Sequence, residues 1–224
     1  MEEVFVTDVV SPLWTLLSVA DREVLRRTGT RHDHPAGTQI MREGDRSTSA
    51  MVLLAGRAKV LASSADGHQC ILAVRRAGDL VGEMSAIDGL PRAASVIAID
   101  RVRLLRIPAE QFNGVLATCP AIAHAVLRVV CGRLRAASER RAELVGSTAA
   151  QRLHVFLLDL AKQYGMPAGD GIAITLPLSQ EEIAASISAS RRAVVRALHS
   201  LRSDAVIATG RHQITILRPD ALLG

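Results

Sequence analysis

Between residues 37 and 108 the chain is cut into short runs of Val, Ile, Leu and Ala by Gly-centred turns, and this texture restricts the fold more than any other feature. The runs span 50–54, 58–62, 70–74, 94–99 and 102–107. Between them lie Glu43-Gly44-Asp45, Ala55-Gly56, Asp66-Gly67, Ala77-Gly78-Asp79 and Asp88-Gly89. Strands of this length at this spacing close into a sandwich or barrel. Ahead of them, Leu13, Leu16, Leu17, Val24 and Leu25 predict one or two short helices over 11–28, with Ser18 or Asp21 as a cap.

After Pro108 the periodicity changes. Pro108 suits the first turn of a helix, and 109–116 reads as a short one. From Pro120 to about Leu144 no proline interrupts a helical pattern. Ile122, Val126, Val129 and Ala136 recur there at the steps of a coiled-coil seam. So long a helix exceeds what a small barrel can cover, and a second copy of the chain is the expected partner. Gly146-Ser147-Thr148 breaks the pattern, and Ser147 or Thr148 caps a helix ending near Tyr164-Gly165. Beyond it the sequence predicts a loop over 166–171, a strand over 172–176, helices over 179–187 and 190–202, and a terminal hairpin of 206–208 with 213–217. The expected class is α+β, in three segments: 1–118, 119–146 and 147–224.

Composition narrows the function. With 49% hydrophobic but only 2% aromatic residues, the cores are aliphatic, and stacking platforms for single-stranded nucleic acid are lacking. The net charge is +5, and the cations are arginines apart from Lys59 and Lys162. Arginine gives a planar, bidentate donor for phosphates and guanine edges, which fits a polyanionic partner. Cys70, Cys119 and Cys131 show no metal-binding spacing and read as thiols in a reducing compartment. The start of the sequence carries acids rather than a basic, then apolar, leader, and no window holds 18 uncharged apolar residues. The expectation is a cytoplasmic protein without a membrane span. No nucleophile, base and acid set stands out, and His154 and His199 fall on structural helices, so no catalytic activity and no metal are expected.

The segment 178–198 has the layout of a helix-turn-helix. Ser179 and Glu182 make a capping box, and Ile183 and Ile187 face a core. Ser190 caps a second helix whose Val194, Val195 and Leu198 turn inward. That helix exposes Arg191, Arg192 and Arg196. Cations at a helix N-terminus oppose its macrodipole, so a polyanion in front of that end explains them better than helix stability does. An N-terminal turn set in the major groove brings such side chains to base edges. Ser188 stands where the turn calls for a left-handed backbone, at a cost on the order of 1 kcal/mol.

Taken together, 37–56, Gly78-Asp-Leu-Val-Gly-Glu-Met-Ser-Ala86, Pro91-Arg-Ala-Ala-Ser95, the long helix and Ser190-Arg-Arg-Ala-Val-Val-Arg196 resemble the CRP/FNR (catabolite activator) family of transcription regulators. The resemblance runs from about 13 to 218. It implies a cyclic-nucleotide-binding-type β jelly-roll barrel over 1–118, a dimerisation helix over 119–146 and a winged helix-turn-helix over 147–224. It also implies that Glu83 accepts from the ribose 2′-hydroxyl of a cyclic nucleotide. The backbone from Gly82 through Met84 and Ser85 would approach the cyclic phosphate, and Arg92 would pair with its charge. Two departures matter. Ala93 replaces a hydroxyl residue, and Ala137 with Ser138 stands at the adenine-contacting pair, where Ser138 alone can hydrogen-bond. Losing two hydroxyls costs about 1–3 kcal/mol, or roughly ten- to a hundredfold in affinity. Cyclic AMP, bound weakly, is the implied effector, and no cofactor is obligatory. The alternative is a Glu83–Arg92 ion pair in a regulator that binds DNA without cyclic nucleotide. His32, His34 and His68 carry no haem signature and read as loop residues. The implied partners are double-stranded DNA bearing an imperfect palindrome, a second copy of the chain and, for an activator, RNA polymerase. The stretch 146–148 is the implied hinge. Arg192 stands where the best-known member has Glu; Glu accepts from cytosine whereas Arg donates to guanine or a phosphate, so the operator is expected to differ at that base pair.

Overall fold

The computed structural model describes residues 11–63, 67, 69–143 and 146–223. The acidic N-terminus, Asp66 of one expected turn, His68 and the helix end at Leu144 lie outside them. The chain divides into two compact units, Met1–Ser63 with Leu72–Glu139, and Ser64–Ile71 with Arg140–Gly224.

The first unit opens with α1 (Leu13–Leu16) and α2 (Val19–Thr28). Ser18 caps α2 reciprocally: its hydroxyl accepts from Asp21 N at 3.1 Å, and its own N–H donates to the Asp21 carboxylate at 3.3 Å. Then come β1 (Thr30–His34), β2 (Gln39–Met41), β3 (Ser49–Ala55), β4 (Ala58–Ser63), β5 (Gln69–Arg75), β6 (Leu80–Val81), α3 (Glu83–Asp88), β7 (Ser95–Ala98) and β8 (Val102–Pro108). The helices α4 (Ala109–Thr118) and α5 (Pro120–Glu143) follow. The strands form two sheets, ordered β1-β8-β3-β6 and β2-β7-β4-β5, with Met51 opposite Arg106 and Val60 opposite Val96 in antiparallel registers.

The two sheets explain the strand patterns. On β3, Met51 and Leu53 point between the sheets, and Ala50 and Val52 point outward under the helices. On β8, Val102 and Leu104 point inward and Leu105 and Ile107 outward. Strands covered on both faces read as apolar runs; β3 is one without interruption, and β8 is one broken only by the exposed Arg103 and Arg106. By contrast β1, Thr-Arg-His-Asp-His, is an exposed edge paired only to β8. It places His32 and His34 on a strand rather than in loops. Polar residues suit an edge strand, and they erased its signal.

The long helix corrects a second expectation. Ile122, Val126 and Val129 are buried, but within their own chain. With Ala125 they join the cluster formed by Leu13, Leu25, Ile107 and Phe112. That stripe packs on the barrel and is not free for a partner helix. The opposite face of α5 exposes Leu127, Cys131 and Leu134 at steps of four and three.

The second unit contains α6 (Ala149–Tyr164), β9 (Gly165–Ala168), β10 (Gly171–Ile174), α7 (Gln180–Ser186), α8 (Arg191–Ser203), β11 (Ile207–Gly210) and β12 (Gln213–Ile216). Thr148 caps α6 in a box with Gln151. Leu153, Leu157 and Leu160 bury its inner face. The sheet order is β11-β12-β10-β9, so the expected hairpin is half of a four-stranded sheet and the expected loop over 166–171 is partly the strand β9. Pro167 concealed that strand. An edge strand tolerates proline, and β9 pairs only with β10. Among the described residues no single helix is long and apolar enough to cross a membrane.

Candidate ligand and DNA-binding sites

The segment from Asp79 to Asp88 carries the first candidate site. Gly82 caps α3 with φ at +75°, in the left-handed region. A Cβ there would lie 2.5 Å from Arg92 Nη1, 2.7 Å from Met41 Cε and 2.8 Å from Ser49 O, so glycine is required by conformation and by space alike. Glu83 and Ser85 then turn inward, while Met84 is exposed.

Glu83 is only 3% exposed and needs compensation. The structure supplies it from a residue the sequence reading missed: Arg133 Nη1 donates to Glu83 Oε1 at 2.6 Å, and Arg133 Nη2 to Leu80 O at 2.5 Å. The signal was present, because Arg133 continues the buried stripe of Ile122, Val126 and Val129 one turn further. The alternative Glu83–Arg92 ion pair does not form. Arg92, equally buried, spends its fork on the barrel: Nη1 donates to Gly82 O at 2.9 Å, Nη2 to Ser49 O at 2.8 Å and Nε to Ser47 Oγ at 3.2 Å. Burial pushes the Arg92 guanidinium below the usual arginine range, and the like charge of Arg106 adds to this, while Glu83 and Asp45 oppose it. Arg92 Nη2 and Arg106 Nε both reach the Ser49 hydroxyl at 3.2 Å, so two cations converge there.

Two polar atoms in this group are left over among the described residues, the donor Arg133 Nε and the acceptor Glu83 Oε2. Glu83 Oε2 is buried and has no hydrogen-bond partner among the described residues. It can accept one further hydroxyl. Beside it, burial pushes the Asp79 carboxyl up, against the Arg76 N–H it accepts and the charges of Arg75, Arg133 and Arg76. Ala93 is exposed, and so are Ala137 and Ser138 on α5, where the Ser138 hydroxyl donates back to Leu134 O at 3.0 Å. No hydrogen bond brings Ser138 to Glu83 or Arg92 among the described residues.

The second candidate site is the pair α7 and α8. Ser179 accepts from Glu182 N at 3.1 Å while Glu182 Oε2 accepts from Ser179 N at 2.8 Å, and Ser190 accepts from Ala193 N at 3.2 Å. Both serines act first as caps and remain exposed. Ile183, Ile187, Val194 and Leu198 are buried as expected, but Val195 is 38% exposed and Leu201 takes the inner position instead. Adjacent helix positions differ by about 100°, so Val194 and Val195 cannot both face the core.

Arg191, Arg192 and Arg196 project from α8 into solvent. Arg191 Nε reaches Glu181 Oε1 at 3.0 Å, an exposed pair that orients the guanidinium across the two helices. The turn between them holds Ser188 at φ +49°, the conformation glycine would favour. Arg152 of α6 secures it. Its Nε donates to Ile187 O at 2.7 Å, Nη2 to Ser188 O at 3.0 Å and Nη1 to Ser147 O at 2.7 Å. Three carbonyls on one guanidinium fix the angle at which α8 leaves the unit, which sequence reasoning did not foresee.

The segments 79–93 and 179–196 of these sites fall within two matched family models, a cyclic nucleotide-binding domain over residues 31–119 and a Crp-like helix-turn-helix domain over residues 151–224, while Arg133 and Ser138 lie between them. The chain is 31% identical over 166 residues, 74% of each protein, to a CRP-like cAMP-activated global transcriptional regulator of Mycobacterium tuberculosis. It is 28% identical over 213 residues, 95% of each, to a cyclic AMP receptor protein of Thermus thermophilus. Among solved structures it resembles CLP, a c-di-GMP responsive global regulator of Xanthomonas campestris, with a TM-score of 0.79 at 22% identity over 89% of this chain and 99% of that one.

Proposed function

The chain belongs to the CRP/FNR family of transcription regulators, and on that premise we propose that two copies bind an imperfect palindrome in double-stranded DNA under control of cyclic AMP. The observation that carries the DNA half is the end of α8: three arginines at or near a helix N-terminus, with no acid in its first turn, on a corner locked by Arg152. A polyanion relieves the clash between those cations and the helix dipole. In the major groove Arg191, Arg192 and Arg196 read base edges, with Ser179 and Ser190 capping beside the phosphates. DNA as the partner places the protein in the cytoplasm, and an activator of this kind would also meet RNA polymerase.

The second copy docks on the free face of α5. Leu127 is 58% and Leu134 67% exposed, and with Cys131 they have the spacing of a two-helix seam. Two recognition helices then sit about one DNA turn apart.

Support for the effector comes from the buried, unpartnered Oε2 of Glu83, which suits a ribose hydroxyl. A second reading has its own observation. Arg133 already compensates Glu83, and Arg92 is engaged with carbonyls, so the barrel can stand without a ligand. The missing hydroxyls at Ala93 and Ala137 point the same way, and cyclic AMP binding is correspondingly weak.

Sequence selection from a random DNA library, with gel shifts on wild type and Arg196→Ala, tests the DNA claim. Loss of one base-reading arginine weakens specific binding by about 1–3 kcal/mol and relaxes preference at one base pair. An unchanged motif at unchanged affinity would overturn the register of α8. Calorimetry with cyclic AMP and cyclic GMP separates the two effector readings: heat at micromolar to millimolar ligand supports the first, and none supports the second.

A further inference from the structure

A cleft of about 440 Å³ opens on the first unit between the N-terminal helices and the barrel, and its lining includes none of the residues of the Glu83–Arg92 site. Its walls include Trp14, Arg22, Arg26, Arg31, Leu54 and Arg103. Four guanidiniums around one small cavity repel one another unless anions intervene. Acids on the protein answer only two of them: Arg103 meets Asp33 at 3.2 Å, and Arg26 meets Glu23 at 3.8 Å. The guanidiniums of Arg22 and Arg31 have no hydrogen bond or ion pair with any described residue. The Nε of Arg22 is moreover buried without a partner among those residues, an unfavourable state for a donor unless something else accepts from it.

The cavity has an apolar and aromatic side as well. The backbone of Trp14 is anchored by its main-chain N–H donating to Gly78 O at 3.0 Å, and the Arg26 guanidinium holds the indole ring by stacking 5.6 Å from its centroid. Leu53 and Leu54 add aliphatic surface. A small volume, a fixed aromatic ring and a surplus of two guanidiniums describe a pocket for a compact organic polyanion with a planar body.

We propose that this cleft binds a phosphorylated nucleoside, with phosphate oxygens on Arg22 and Arg31 and the base against Trp14, as a site separate from the one holding Glu83. The volume accommodates one nucleotide, and a recessed surface of this size favours a small molecule over a protein side. This inference goes beyond the cyclic AMP reading and does not depend on it.

Trp14 is the only tryptophan in the chain, so its fluorescence reports on this cleft directly. Titrating the full-length protein with ADP, without added cyclic AMP, should give a saturable change in that fluorescence. Adenosine without phosphate should bind at least tenfold more weakly, and inorganic pyrophosphate should compete with ADP. The double variant Arg22→Gln and Arg31→Gln should lose roughly tenfold or more in ADP affinity, while Glu83→Gln should retain it. Arg31→Gln alone, on an exposed edge strand, is the fallback if the double variant does not fold, with the thermal transition as the check. No fluorescence response to ADP, a response that the arginine variants leave unchanged, or one that Glu83→Gln abolishes would each overturn the assignment.

Discussion

Replacing Arg133 by Met keeps the aliphatic stem that packs beside Val129 and removes only the guanidinium. Two short contacts vanish, to Glu83 Oε1 at 2.6 Å and Leu80 O at 2.5 Å. Glu83, 3% exposed, is left with neither oxygen compensated by a side chain. Removing one partner of a buried pair typically costs about 3–5 kcal/mol. The Arg133 side chain is 19% exposed, so water reaches the pair from that side, and about 2–4 kcal/mol is the better figure. Adding Glu83→Gln to the variant removes the stranded charge and should recover about half of the loss, a coupling of about 1–3 kcal/mol in a double-mutant cycle. Urea unfolding followed by Trp14 fluorescence measures this in the unit concerned, since that residue packs against the same core. A loss below about 1 kcal/mol for Arg133→Met, or no recovery in the double variant, would show that solvent rather than Arg133 compensates Glu83 and refute the reasoning.

Other consequences follow from the same geometry. Arg152→Met strands the carbonyls of Ile187, Ser188 and Ser147; it should destabilise the second unit by about 1–3 kcal/mol, seen as faster amide exchange around the turn and weaker DNA binding. Leu134→Glu should dissociate the dimer in sedimentation. Two leucines lost from one seam cost about 3–6 kcal/mol, more than a hundredfold in the dimer constant. Burial pushes the His154 imidazole down from 6.5, so the unfolded chain takes up that proton first on acidification. The contribution of neutral His154 is therefore complete above pH 6.5 and fades as the pH falls below it. His154→Gln should flatten the acid side of a thermal stability curve measured between pH 8 and pH 5, and an unchanged slope would exclude this residue as the cause.

How far the sequence alone reached depended on whether a signal was local. The caps at Ser18, Thr148, Ser179 and Ser190 rest on partners three residues away, so Ser179 and Ser190 could be read directly and the other two narrowed to Ser18 or Asp21 and to Ser147 or Thr148. The strands β3 and β8 were also legible, since burial on both faces writes an apolar run into β3 and one broken only by two arginines into β8. The edge strands β1 and β9 escaped because one is polar and the other carries Pro167, and pairing with a single neighbour asks little of either sequence. Arg133 and Arg152 escaped for a different reason. Each is matched to groups about 35 to 50 residues away, and no spacing along the chain announces such a meeting. The seam on α5 failed more subtly. Two apolar stripes share that helix, and periodicity cannot say which one its own barrel will cover.

The grip of Arg152 on the turn at Ser188 also bears on how such a sequence can drift. Glycine at 188 would relieve the strain of the left-handed turn, on the order of 1 kcal/mol, while the carbonyls held by Arg152 would still need their donor. With serine there, loss of Arg152 falls on a turn that is already strained, 36 residues away along the chain. Ser188→Gly should therefore offset part of the cost of an Arg152 substitution, and the two sites should show coupling in a double-mutant cycle.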